Sequence, residues 1–320
     1  MKKRSALVLA AIAVVTGAAQ AADVFPLRPV RLIVPYPAGG PNDVLARMVG
    51  GKLGEAWAQQ VVIDNRPGAG GNLAVEVTGR AAADGYTMIL PAMAYAVNPT
   101  LYTKVPYTFE QFTPVTIVAK GPLVLVVTPA SGINSVKELI ATAKAKPAQM
   151  QYASGGNGSS LHLAGELFKY MAGVDILHIP YKGTNDFIPD LLSGRVPISF
   201  SSPLIMQAHV KAGRLKALGV TSAKRSSGWA EVPTISEAGL KGYEMDAWYA
   251  ILVPSQTPQA IVAQLNKNIA QGLRAPDLQE KLTGLGMEAV GNSPQEATKY
   301  IAAEAAKWSK VARAANIRAD

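Results

Sequence analysis

Three glycine-rich loops, each set between a short apolar run and a helix-forming stretch, constrain this chain more than any other feature. They read Pro37-Ala-Gly-Gly-Pro-Asn-Asp43, Arg66-Pro-Gly-Ala-Gly-Gly-Asn72 and Ser154-Gly-Gly-Asn-Gly-Ser-Ser160. The first two follow apolar runs at 30–35 and 60–64 that read as strands. A glycine turn that opens a helix leaves several backbone N–H groups without partners. The positive end of the helix dipole adds to them, so each loop is a ready anion site. Repetition of the device three times points to capture of something small and negatively charged.

Between residues 29 and 129 strands alternate with helices. The run 30–34 leads into a helix over 43–57, with Asp43 placed as its N-cap, and 61–63 leads into a helix over 73–83. Strands follow at 87–90 and 123–127. Such alternation predicts an α/β fold with mostly parallel sheets covered on both faces. A second set comprises a helix at 135–145 capped by Asn134 or Ser135, a strand at 151–153 and an amphipathic helix at 161–172. A strand at 176–180, a helix at 185–192 closed by Gly194, a strand at 196–201, a helix at 205–212 and a strand at 215–221 complete it. The tail predicts a strand at 248–254 and helices at 260–273, 277–285 and 294–314, the last with Pro294 in its first turn. The apolar runs 123–129 and 248–254 bracket the middle set and read as paired crossover strands joining two lobes. On that reading lobe 1 is 22–125 with 248–320, and lobe 2 is 126–247.

Residues 1–21 have the pattern of an export signal: the basic Lys2-Lys3-Arg4, an apolar stretch at 6–17 and the small-residue site Ala19-Gln20-Ala21. Cleavage is expected after Ala21, leaving 299 of the 320 residues and lowering the formal charge from +9 to +6. The absence of cysteine excludes disulfides, thiol catalysis and cysteine metal sites, and removes the residue that a lipid anchor would need. Basic residues are spread along the chain without interleaved aromatics, so no nucleic-acid partner is expected. A mild positive field that attracts anions is the better use of this charge. A freely diffusing periplasmic monomer is the simplest reading.

Several segments then become specific together. They are Val34-Pro-Tyr-Pro-Ala-Gly-Gly-Pro-Asn-Asp-Val-Leu-Ala-Arg47, Asp64-Asn-Arg-Pro-Gly-Ala-Gly-Gly71, Asp84-Gly-Tyr-Thr87 and Asn98-Pro-Thr-Leu-Tyr102. His162-Leu-Ala-Gly-Glu-Leu-Phe168, His178-Ile-Pro-Tyr-Lys-Gly-Thr184, Ala212-Gly-Arg-Leu-Lys-Ala-Leu-Gly-Val220, Val232-Pro-Thr234, Glu237-Ala-Gly239 and Glu304-Ala-Ala-Lys-Trp308 continue the set in order. With them the chain resembles the Bug (TctC-like) family, the solute-binding proteins of tripartite tricarboxylate transporters. The resemblance implies a two-lobed periplasmic binding protein fold, type II-like, that closes on a small organic carboxylate and delivers it to membrane permease subunits. It also implies that loop amides and ordered water hold the carboxylate rather than an arginine clamp. Many family members carry an aspartate where this chain has Ser201. Serine offers only neutral hydrogen bonds, so a carboxylate without an amino group is expected.

Each candidate has a structural reading beside the binding one. Tyr36, Ala38, Gly39, Gly40 and Asp43 supply the first anion site, or an ordinary tight turn. Gly70 and Gly71 contribute donors, or follow a turn shaped by Asn65-Arg66-Pro67. Ser154, Asn157, Gly158, Ser159 and Ser160 bring the second lobe to the ligand, or cap the next helix, with Ser160 suited to the cap. Gly183 and Thr184 pose the same choice. His162 and His178 read as structural or hydrogen-bonding residues, and His209 as a surface one. Tyr36, Tyr95, Trp248 and Tyr249 either flank the ligand or fill the core, and Arg47 and Arg66 read as salt-bridge partners that brace lobe 1. Three scattered histidines fall short of a metal site, so no metal or cofactor is expected.

The rival class is a secreted hydrolase. Gly156-Asn-Gly-Ser-Ser160 is not a Gly-x-Ser-x-Gly elbow, no loop carries Ser-x-x-Lys, and no histidine is flanked as a catalytic base would be. No Walker lysine follows a glycine loop and the dinucleotide fingerprint is incomplete. Catalysis is therefore not expected. A periplasmic sensor feeding a two-component system would use the same closure as a transport receptor, and the residues do not separate the two.

Overall fold

Leu32 and Val34 bury one way and Ile33 the other, because successive side chains of a strand alternate faces. That strand is β1 (Val30–Val34), an interior strand of a sheet covered on both sides. The structure, a computed structural model, describes residues 25–319, so the expected signal segment and its cleavage site lie outside the described residues.

The chain continues through α1 (Pro41–Trp57), β2 (Val61–Asn65), α2 (Asn72–Gly79), β3 (Thr87–Ile89), α3 (Ala94–Leu101) and β4 (Phe112–Pro122). It then builds β5 (Val124–Val127), α4 (Val136–Ala145), β6 (Gln151–Ser154), α5 (Ser160–Ala172), β7 (Leu177–Pro180), α6 (Thr184–Ser193), β8 (Ile198–Ser201), α7 (Pro203–Lys211) and β9 (Lys216–Val220). The return consists of β10 (Asp246–Pro254), α8 (Gln259–Leu273), α9 (Pro276–Gly284), β11 (Glu288–Ala289) and α10 (Pro294–Ala314).

Two mixed sheets result, ordered β11-β4-β10-β3-β1-β2 and β7-β6-β8-β5-β9. In each, four strands share one direction, β1 to β4 in the first and β6 to β9 in the second. The exceptions explain how the lobes are joined. After β4 the chain crosses at Leu123 and enters the second sheet as β5, antiparallel between β8 and β9. After β9 it crosses back as β10, antiparallel between β3 and β4. The crossover strands are thus not paired with each other; each is built into the sheet it enters. The two-lobed α/β architecture expected from the alternation is present.

Residues 112–122, where Pro114, Gly121 and Pro122 interrupt the apolar residues, carry no strand expectation, yet they form the longest strand. Register shifts opposite Ile251/Leu252 and Tyr249/Ala250 leave Val115 and Val118 as extra residues. The first of these bulges sits beside Pro114, where a missing ladder donor is tolerated. Helix α3, with Pro99 inside it, also carries no sequence expectation. The α1 helix starts at Pro41 with Gly40 as N-cap, so Asp43 is not the cap but a third-position acid. Helix α2 stops at Gly79, four residues short of the expected end. Ser135 caps α4, and Ser293 with Glu296 forms a capping box at α10, with Pro294 in the first turn. His209 on α7 is half-buried rather than on the surface.

Leu45, Val49, Leu265 and Ile269 from α1 and α8 cover one face of the larger sheet. Its other face merges, through α2, α3 and α10, with the core of the smaller sheet. Gly165 on α5 shows how tightly that second core is packed. Replacing an interior helix glycine by alanine ordinarily stabilises by about 1 kcal/mol. Here a Cβ would meet the buried Tyr152 ring at 2.3–2.9 Å. Gly165→Ala is expected to destabilise by about 1–3 kcal/mol in urea unfolding, and a stabilised variant would refute this packing.

Candidate functional site

Strands that run parallel and return through helices place every helix start at the same sheet edge. In each lobe the loops after the parallel strands meet the facing lobe there, and a cavity of about 130 Å³ lies between them. Gly40, Pro41 and Asn42 bring the start of α1 to it, Ser159, Ser160 and Leu161 the start of α5, and Gly183, Thr184 and Asn185 the start of α6. Neither α1 nor α6 has a side-chain cap, and the Ser159 hydroxyl of α5 accepts only from the His162 N–H, so amides of the first turns are left for other partners. Among the lining residues there is no lysine or arginine. A larger, more open space of about 540 Å³ adjoins it, lined by Gly68, Gly70, Gly71, Gly156 and Lys182 among others.

Tyr36, Pro37, Ala92 and Tyr249 form the apolar flank of the cavity. The Tyr36 hydroxyl is buried and has no partner among the described residues. Burial first, and neighbouring tyrosines second, push its pKa well above the usual phenol value, so it is a neutral donor. Burial does the same for Tyr249.

The loops themselves are braced from below. The Asp43 carboxylate accepts from the Gly39 N–H at 2.9 Å and from Arg47 at 2.9 and 3.0 Å. Burial alone would raise its pKa, but these donors hold it below the ordinary carboxylate range. Arg66 likewise pairs with Asp64. In lobe 2, the Ser154 hydroxyl accepts from the Gly156 N–H at 3.1 Å and lies 2.6 Å from His178 Nε2. His162 Nδ1 accepts from the Gly158 N–H at 3.1 Å, and its ring stacks on His178 at 4.1 Å, with Tyr152 stacked beyond at 4.9 Å. Burial pushes His162 down to about 4, with Lys169 adding to it. Burial, then His162, pushes His178 down to about 3. Both rings are neutral struts of the loop.

Glycines are placed where the lobes approach. Gly70, at φ +62°, would put a Cβ 2.7 Å from the Asn157 carbonyl across the cleft, and Gly158, at φ +76°, would put one 2.2 Å from Asn98 Oδ1. Asn157 Nδ2 also donates to the Ala319 carbonyl at 2.7 Å, and Asn98 Nδ2 to Gly70 O at 3.0 Å. Asn157 and Gly158 therefore meet lobe 1 rather than line the main cavity.

The main cavity brings together Tyr36, Ala38, Gly40, Ser159, Ser160, Gly183 and Thr184 of the expected residues. Gly70 and Gly71 line the adjoining space, Gly39 and Asp43 shape the loop behind it, and Ser154 and His162 brace it. Ser160 is the first helical residue and Ser159 the cap, the reverse of the expected assignment. Tyr95 stacks on Tyr107 at 5.4 Å beside a small crevice. Trp248 is fully buried, donates to Glu304 at 3.2 Å and lies outside the lining. Ser201 is buried at the end of β8 with no hydroxyl partner and also lies outside it. Its serine does not leave the cavity without an acid, because Asp186 lines it. Sequence reasoning missed Asn185 and Asp186, Pro37, Asn42 and Ala92. The only available signal for the first two was their place one and two residues beyond Gly183-Thr184. Among the described residues no three His, Cys, Asp or Glu side chains gather as a metal site requires, and no helix is long and apolar enough to cross a membrane.

Residues 45–317 match the tripartite tricarboxylate transporter family receptor. The protein BugT of Bordetella pertussis is 36% identical over 295 residues, which cover 91% of this chain and 90% of BugT. Rpa4515 of R. palustris, solved with adipate, is 38% identical with a TM-score of 0.88, covering 92% of this chain and 99% of that one. MatC of Rhodopseudomonas palustris, solved with bound malate, is 28% identical with a TM-score of 0.85, covering 90% and 99%.

The two histidines make a testable strut. Their folded pKa values lie below the ordinary value of about 6.5, so acid protonates the unfolded chain first. Their neutral state costs no stability above that pH, and stability falls as pH drops from 6.5 towards 4 and 3. For His162 the loss is on the order of 2–3 kcal/mol. The melting temperature is expected to fall by several degrees between pH 7.5 and 5, with a shallower slope in His162→Gln. A flat profile over that range would contradict the buried neutral pair.

Proposed function

This chain belongs to the tripartite tricarboxylate transporter receptor family, and we propose on that premise that it captures a small organic carboxylate between its lobes and hands it to a membrane permease. The convergence of three helix starts on a cavity without lysine or arginine carries this reading. Backbone amides, the Tyr36 hydroxyl and ordered water hold the carboxylate, and the apolar flank accepts the carbon chain. Adipate and malate in the two relatives favour an organic acid of four to six carbons.

The working parts are the two lobes expected from the sequence, with the joins at Leu123 and just before Asp246, where the chain leaves one sheet for the other. They rotate about these joins, and ligand stabilises the closed arrangement through contacts that exist only there. The closed form is what the permease recognises. The protein acts as a periplasmic monomer, released from its signal segment after Ala21.

Native mass spectrometry of the purified mature protein, followed by thermal shifts with four- to six-carbon dicarboxylates, tricarboxylates, amino acids and aromatic acids, tests the capture. A discrete bound mass, or stabilisation by one acid class, is expected. No bound mass and no shift with any acid would refute carboxylate capture. Closure has its own test at Gly158. Gly158→Ala places a methyl against Asn98 at a left-handed backbone position, which costs roughly 1 kcal/mol of folding stability by itself. Affinity for the bound acid is expected to fall at least tenfold, with partial recovery on adding Asn98→Ala. Unchanged affinity in titration calorimetry would remove this contact from closure.

A further inference from the structure

Asp186 is the only acidic or basic side chain among the residues that line the main cavity. It stands in the first turn of α6, exposed at the cleft, and it also lines the adjoining space. Its carboxylate has no hydrogen-bond or ion-pair partner among the described residues. The other two helix starts differ. The first-turn acid of α1, Asp43, is buried behind the loop and neutralised by Arg47, and α5 has no acid in its first turn. The cavity is therefore electrically uneven: all three helix starts offer amide donors, but only α6 adds an unpaired carboxylate.

We infer that Asp186 sets ligand specificity, selecting acids that carry a hydrogen-bond donor, an ammonium or a hydroxyl, over acids with a second ionised carboxylate. The inference rests on the proposed capture of a carboxylate at this cavity. One ligand carboxylate satisfies the free amides. Any part of the ligand that reaches α6 meets a fixed negative charge, and closure strengthens that charge by removing the water that screens it in the open cleft. A second carboxylate there is repelled, whereas an ammonium or hydroxyl gains a charge-assisted hydrogen bond. Asn185, beside it, approaches the Gly39 loop, where a Cβ on Gly39 would stand 3.0 Å from Asn185 Nδ2. Closing the cleft thus carries α6 and its acid towards lobe 1.

Matched pairs of equal chain length isolate the effect: succinate against 4-aminobutanoate and 4-hydroxybutanoate, and adipate against 6-aminohexanoate. Titration calorimetry on the ligand-free protein should give at least a tenfold preference for the donor-bearing member. Asp186→Asn should abolish the preference, chiefly by tightening the dicarboxylate, and Asp186→Glu should retain it. Equal or tighter binding of the dicarboxylate by the unaltered protein would overturn the inference while leaving carboxylate capture intact. So would a preference that survives Asp186→Asn, or a variant that only lowers the melting temperature, as a first-turn acid serving the α6 dipole would. Failure of every acid to bind any variant would instead refute the capture on which the inference rests.

Discussion

The carboxyl-end edge of a parallel sheet is the constraint on which this structure depends. A strand that returns through a helix to a parallel neighbour must start that helix at one edge. Four of the strands in each sheet share a direction, so the helices that follow them, α1 to α3 in one lobe and α5 to α7 in the other, start on one rim. The two crossings then set rim against rim. Because β5 and β10 run antiparallel inside the sheet they enter, each lobe is locked to the other by strands in its own interior rather than by a linker. On the proposed closure, relative motion would be confined to the short stretches where the chain changes sheets.

The glycines serve that geometry in two distinct ways. At Gly40 and Gly183 they leave helix starts uncapped, which keeps amide donors free. At Gly70 and Gly158 they let backbone and side chains of the opposite lobe approach within distances that no Cβ would allow. Both uses read identically in a sequence, since each is a glycine in a positive-φ or extended turn before a helix. Only the facing lobe tells them apart, and that is information about residues distant in the chain.

The same distinction separates what was legible from what was not. Strand–helix alternation is a local pattern, and it made the two lobes, the helix starts and the first-lobe loop readable. The β4 strand was hidden because Pro114 and Pro122 interrupt its pattern, and its bulges resolve that conflict only through pairing with β10, more than a hundred residues away. Trp248 looked like a ligand platform because a large aromatic beside an apolar run has no local sign of which face it takes. Its partners, Glu304 and Tyr300, come from the last helix. Asn185 and Asp186 were passed over for the opposite reason: polar residues in a helix's first turn have an ordinary capping explanation, and nothing local marks them as facing a cavity.

Positive charge is absent from the lining of the main cavity although the chain as a whole is basic, and the physics of release accounts for this. An arginine buried against a carboxylate is desolvated at a cost that only a near-ideal pair recovers, and once paired it is slow to let go. Amides at helix starts are oriented by the fold itself, carry only partial charge, and lose little when water takes the ligand's place. On the proposed capture, they would bind an anion when the cleft is shut and surrender it when the cleft opens. A receptor with the proposed role of capture and hand-over has reason to keep its full charges on the outside, where they raise the local concentration of anions, and to leave the interior contact to dipoles.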